Sequence, residues 1–152
     1  KAPEPLRKHV TDEKEEGLSA VVVGGTGATG QYLVYHLLKS PKWKKVTAFG
    51  RRELDISKMQ KDLNIKKEDE ISEEQASKLT QHSIDMTKIA DEQKLFEKHD
   101  VTFCVLGTTR STAGTAQNFK KIDFDMVRDI ATVSKNASFV LYRFFFLGGS
   151  IY

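Results

Sequence analysis

Between Val23 and Gln31 the chain reads Gly24-Gly25-Thr26-Gly27-Ala28-Thr29-Gly30, and two glycine spacings coincide there. Gly24, Gly27 and Gly30 fall at every third position, while Gly25, Gly27 and Gly30 form GxGxxG. Glycine permits a tight turn and lets backbone N–H groups approach a pyrophosphate, and a helix starting at that turn directs its unsatisfied donors and positive dipole end at the same anion. A glycine turn that holds no ligand is the competing reading. What favours the dinucleotide fingerprint is its context, since it follows a β-type run directly and precedes a helical pattern directly.

The identity of such a dinucleotide is decided at the end of the next strand. A carboxylate there accepts hydrogen bonds from a ribose 2′-hydroxyl, whereas an arginine accommodates a 2′-phosphate. The chain offers Gly50-Arg51-Arg52, with Glu53 slightly too late to be the acid. A guanidinium makes bidentate, charge-assisted bonds to phosphate. NADP (NADPH) is therefore expected over NAD, with Arg51 as the reader and Arg52, beside it, as the one of the pair that reads as a surface cation. Ligands of open parallel sheets sit at the carboxyl ends of the strands. This puts Asp85-Met86 at the adenine edge and Leu106-Gly107-Thr108-Thr109, running on to Arg110, beside the ribose and nicotinamide. Asp85 reads equally well as a helix N-cap.

These groups need a scaffold. Leu18–Val23 is continuously apolar with three valines, the pattern of a strand buried on both faces. Leu33, Val34, Leu37 and Leu38 repeat at helical spacing after the glycines, and Pro41 stops the helix. A second strand is expected over 45–50, a third over 83–86, a short helix over 89–98 and a fourth strand over 101–106. Phe119, Ile122, Met126, Val127, Ile130 and Val133 give a longer helix one apolar stripe, and 138–147 reads as a fifth strand. Between the second and third strands, 55–78 is crowded with Lys, Glu and Asp and reads as an exposed, partly helical insertion. Strands alternating with helices predict an α/β fold, a Rossmann-like doubly wound parallel sheet truncated after about five strands. The domain is expected over 18–152, and the polar residues 1–17, with Pro3 and Pro5, as a flexible arm.

Composition narrows the function classes. The chain has 152 residues, 39% of them hydrophobic, which suits a single core. Its formal charge of +3 arises from 24 basic and 21 acidic residues interspersed along the sequence, so no nucleic-acid footprint is expected. Cys104 is the single cysteine and His9, His36, His82 and His99 are scattered, which argues against a metal site and fits a reducing compartment. No apolar run reaches the ~20 residues of a membrane span, so a soluble protein is expected. Neither a Gly-x-Ser-x-Gly elbow nor a Walker-type Gly-Lys-Ser/Thr is present.

The GGTGATG turn, the FGRRE strand end, the IDM triplet, FCVLGTTR and the later IDFDMV together resemble the Tat-interacting-protein-2 type of oxidoreductase, a branch of the atypical or extended short-chain dehydrogenase/reductase superfamily. The resemblance covers roughly Ser19 to Tyr142. Its most specific element is Leu106 to Arg110, the glycine loop being common to the superfamily. It implies NADPH held by Gly24 to Gly30 and Arg51, an adenine contact near Asp85, regulatory protein partners, and a cytoplasmic or nuclear location.

The resemblance also implies an active-site Ser or Thr after the fifth strand and a Tyr four residues before a Lys. Here Arg143-Phe144-Phe145 stands where the serine is expected, Tyr142 is followed four positions later by Phe146, and Tyr152 is the last residue. Tyr32 and Tyr35 belong to the first helix, away from the catalytic edge. The expectation is an NADP-binding oxidoreductase-type domain with no catalytic residues of its own, a truncated or alternatively terminated form of a longer enzyme. The alternative is a non-catalytic module that senses NADPH and binds protein partners, and a weaker third reading is a relative of the sugar-nucleotide epimerases.

Overall fold

The computed structural model describes residues 17–107, 110–137 and 144–146. The first strand, β1 (Leu18–Val23), lies at the centre of a five-stranded parallel sheet. Its neighbours are β2 (Trp43–Gly50) on one side and β4 (Val101–Cys104) on the other. Beyond them lie β3 (Leu79–Ser83) and β5 (Phe144–Phe146), giving the order β3-β2-β1-β4-β5. This is the doubly wound arrangement expected from the alternating elements.

β1 explains why the sheet must be covered on both faces. Ala20 and Val22 enter one core with Val34, Leu37, Leu38, Val46 and Met59. Val21 and Val23 enter the other with Phe49, Ile89, Phe96, Ile130 and Val133. All four β1 side chains are fully buried, each valine contributing about 1.5–3 kcal/mol by leaving water. The first core is covered by α1 (Ala28–Lys39), which supplies Val34, Leu37 and Leu38. The second is covered by α7 (Val127–Ala137) together with a 3₁₀ segment, Met86–Asp91, and α4 (Gln93–Phe96).

Several sequence expectations shift, the helix expected over 89–98 among them, which is divided between the 3₁₀ segment and α4. The third strand is Leu79–Ser83, not 83–86. Its Thr-Gln-His centre is polar, but β3 pairs only with β2 and lies at the sheet edge, where apolar content is not required. Ile84, Met86 and Ile89 owe their apolar character to packing on the second core from a loop and a 3₁₀ turn. The fourth strand stops at Cys104, two residues early. The long C-terminal helix is divided into α5 (Arg110–Ala113), α6 (Ala116–Lys120), a π-helical turn over Lys121–Met126, and α7. The π turn breaks the regular three-and-four spacing and leaves Phe124 58% exposed.

The charged insertion is partly helical, as its composition suggests. It forms α2 (Ile56–Asp62), a 3₁₀ turn at Lys67–Asp69 and α3 (Glu73–Ala76), the last closed by a Ser72–Gln75 capping box. Tyr35 Oη donates to the Asp69 carbonyl at 2.9 Å and Lys39 Nζ to that of Glu70 at 3.3 Å, fastening the insertion to α1. Of the expected fifth strand, Phe144–Phe146 runs parallel to β4, and the other positions lie outside the described residues, as do residues 1–16 of the arm.

Candidate functional site: a glycine turn at the switch point of the sheet

The carboxyl ends of β1, β2 and β4 converge where the strand order reverses, and each delivers part of the site. Val23 gives way to Gly24, whose N–H donates to the Phe49 carbonyl of β2 at 3.1 Å. Gly24 adopts φ +93°, a conformation that side chains rarely tolerate, and the Gly27 N–H closes the turn on its carbonyl at 3.3 Å. On the other side a Cβ at Gly24 would meet the Leu106 nitrogen at 3.1 Å, so the strand end of β4 leans directly on the turn.

α1 begins at once, with Gly27 as its N-cap and no side chain capping it. The first helical bond runs from Gln31 N–H to the Gly27 carbonyl at 2.9 Å. The amides of Ala28, Thr29 and Gly30 therefore head a helix that provides no internal anion, and its first turn carries no acidic residue. Thr26, Gly27, Ala28 and Thr29 are exposed, whereas Gly25 and Gly30 are buried. A Cβ at Gly27 would meet only the Gly24 carbonyl, at 3.6 Å, and one at Gly107 would meet nothing. Space is thus open in front of the turn on both sides, and bare backbone lines it. These residues fit a dinucleotide pyrophosphate.

At the end of β2 the structure separates the two arginines. Arg52 lines a cleft of about 180 Å³ together with Thr26, Gln31, Glu53, Leu54, Asp55, Lys58, Met59 and Asp62. Arg52 also borders a smaller depression formed by Gly25, Thr26, Phe49, Gly50, Gln81 and His82. Arg51 lines neither and is exposed to solvent. Of the two arginines, both exposed, the second is the one that borders these depressions beside the glycine turn. Gln31, Lys58 and Gln81 also belong to this wall. No spacing in the sequence marks them, because they come from α1, α2 and β3 and meet only on folding.

The remaining candidates are placed unevenly. Asp85 caps the 3₁₀ segment, accepting from Thr87 N–H at 3.0 Å and Thr87 Oγ1 at 2.7 Å. These bonds hold its carboxyl below the usual carboxylate range. Met86 is 6% exposed in the second core, so its side chain is committed to packing. Leu106 packs on that core as well, and Gly107 is exposed beyond it. Thr108 and Thr109 lie outside the described residues.

Two other groups are unsuited to catalysis. Tyr35 and Lys39 have the Tyr-x-x-x-Lys spacing, but the Tyr35 hydroxyl is spent on the Asp69 carbonyl, and burial and the Asp69 charge raise its pKa. Burial pushes the Cys104 thiol up to about 11, the opposite of an activated nucleophile. Among the described residues no cluster of His, Cys, Asp and Glu could hold a metal ion, and no helix is long and apolar enough to cross a membrane.

Comparison with known proteins agrees with this fold. The NAD dependent epimerase/dehydratase family matches residues 20–152. The rat protein HTATIP2 is 33% identical over 132 residues, covering 87% of this chain and 48% of its own, in line with the resemblance read from the motifs. An Aspergillus terreus protein named fmp52-2, mitochondrial, is 34% identical over 134 residues, again 87% of this chain and 51% of its own. The chain thus spans about half the length of the curated relatives it matches. Among solved structures, the terminal R domain of the myxalamid biosynthetic pathway superposes with TM-score 0.64 at 13% identity, over 88% of this chain and 35% of that one. A UDP-glucuronic acid 4-epimerase variant from Bacillus cereus, solved with NAD, gives 0.58 at 14% identity over 84% of this chain and 39% of that one. Both likenesses concern the fold.

Proposed function

The chain belongs to the NAD dependent epimerase/dehydratase family, and on that premise we propose that it is the NADP(H)-binding part of an oxidoreductase, without the groups that move the proton. The observation that carries the cofactor choice is the place of Arg52, which borders both depressions beside the glycine turn. A guanidinium there meets a 2′-phosphate with charge-assisted bonds, in a cleft whose wall also carries Lys58 and the carboxylates of Glu53, Asp55 and Asp62. Gly24 to Gly30 would hold the pyrophosphate through backbone amides, with Leu106 and Gly107 flanking the nicotinamide half. When bound, the cofactor would supply or accept a hydride. This chain's residues bind and orient it.

Catalytic incompleteness is supported by the sequence after β4. Apart from Tyr35 in α1, whose hydroxyl is engaged, no tyrosine stands four residues before a lysine. Loss of a positioned acid–base group costs about 10²–10⁴-fold in rate. Calorimetric titration of the full chain with NADP⁺ and NAD⁺, paired with an NADPH oxidation assay on carbonyl compounds, tests both halves. Tighter NADP⁺ binding without turnover is expected. Equal affinities would refute the cofactor choice, and turnover would refute the incompleteness. A protein partner whose affinity changes with NADPH would favour the sensing module instead.

A further inference from the structure

We propose that Gln81 is a positioning residue for cofactor discrimination, its side-chain amide gripping Leu54 on both sides of the peptide and so holding Arg52 at the mouth of the glycine turn. The inference rests on the reading of Arg52 as the 2′-phosphate contact. Leu54 N–H donates to Gln81 Oε1 at 2.7 Å, and Gln81 Nε2 donates back to the Leu54 carbonyl at 2.9 Å. The side chain thereby extends the sheet by one pseudo-strand, pairing with a segment that has no regular structure of its own. Two further bonds run in the same direction: Ser83 Oγ donates to the Arg51 carbonyl at 3.0 Å and Ile84 N–H to that of Gly50 at 2.9 Å.

Only a glutamine makes this grip. Glutamate lacks the donor, asparagine is one methylene short and methionine offers neither bond. Gln81 lies opposite Ala48 in the β2–β3 register, a small neighbour. Leu54 is 7% exposed and anchored in the first core, so the loop is pinned at Leu54 while Arg51, Arg52 and Glu53 stay exposed. Without the pin, Arg52 would have to be ordered at the moment of binding, a cost that falls on the 2′-phosphate and leaves the pyrophosphate contacts untouched.

The test uses the full chain carrying Gln81→Met, titrated calorimetrically with NADP⁺ and NAD⁺, with hydrogen exchange followed at the Leu54 amide. The preference for NADP⁺ over NAD⁺ should fall about tenfold, and Leu54 should lose protection while β1 keeps it. Gln81→Glu provides a second readout even if the methionine variant does not fold. Its preference, referred to wild type at each pH, should recover as acid protonates the carboxyl and restores the donor. An unchanged preference in Gln81→Met, an equal loss of both dinucleotides, or a pH-independent Gln81→Glu overturns the proposal alone. A wild type that binds neither dinucleotide overturns the underlying reading and this proposal with it.

Discussion

The Gly24 carbonyl oxygen occupies the space into which a side chain at Gly30 would point, and the Gly25 Cα would lie only 2.8 Å from such a Cβ. Helix α1 can start as close to β1 as it does because position 30 carries none. The same turn leaves Gly27 open, with a negative φ of −72° that any residue adopts. The two glycines thus serve different ends: one lets the helix approach the strand, the other lets a ligand approach the backbone.

Their variants should therefore separate. Gly30→Ala is expected to destabilise the fold by about 1–3 kcal/mol, seen as a lowered Tm, because backbone must shift to admit the methyl. Gly27→Ala should leave Tm nearly unchanged while weakening dinucleotide binding about tenfold. If Gly27→Ala binds as well as wild type, the pyrophosphate does not sit against that residue.

The two arginines should also separate. Arg52→Ala is expected to weaken NADP⁺ by about tenfold to a hundredfold while changing NAD⁺ little, since a lost charge-assisted contact costs about 1.5–3 kcal/mol. Arg51→Ala should alter either affinity by less than about twofold. Titration of both variants with both dinucleotides decides the matter, and the reverse pattern would assign the phosphate to Arg51.

Acid should weaken the fold through His99. Its Nε2 pairs with Thr47 Oγ1 at 2.8 Å and its Nδ1 with the Glu97 carbonyl at 2.8 Å. Since a carbonyl only accepts, Nδ1 carries the proton and Nε2 accepts from the threonine hydroxyl, an arrangement that suits the neutral ring. Burial, aided by the Lys45 charge, lowers its pKa below 6.5, with Asp100 and the backbone carbonyls opposing. Above the unfolded value of 6.5 the contribution to stability is complete. As pH falls through it, the unfolded chain takes up a proton that the folded chain resists, and stability drops by at most about 1.4 kcal/mol per pH unit until the folded histidine titrates too. Thermal melts from pH 8 to 5 should show this slope, and His99→Gln should flatten it.

Cys104 should be inert until the protein opens. It is fully buried and its pKa stands at about 11, so an alkylating reagent at pH 8 finds almost no thiolate in the native state. Labelling followed by mass spectrometry should track the global unfolding curve in denaturant. Labelling well before that transition would show that β4 opens locally.

The parts of this protein legible in its sequence are those in which neighbours along the chain decide the structure. Three consecutive valines, a glycine turn and a helical repeat specify β1, the turn and α1, because strand burial, tight turning and helical periodicity are each set within a few residues. The Lys–Glu–Asp crowding of 55–78 likewise forecasts a largely exposed segment, and that is what α2 and α3 form.

What the sequence hides is set by who lies next to whom across the sheet. β3 escapes a periodicity search because an edge strand with one partner can be polar, while Ile84 and Met86 imitate a strand although they pack from a loop and a 3₁₀ turn. Arg51 and Arg52 are chemically identical, and only the folded loop, bonded at Leu54 by a residue from β3, leaves the second bordering the cleft beside the glycine turn. Local pattern thus determined that an anion-binding turn would form. Which residues border that turn was decided by tertiary contacts such as those of Gln81 and Leu54, far apart in the chain and paired only when the sheet assembles.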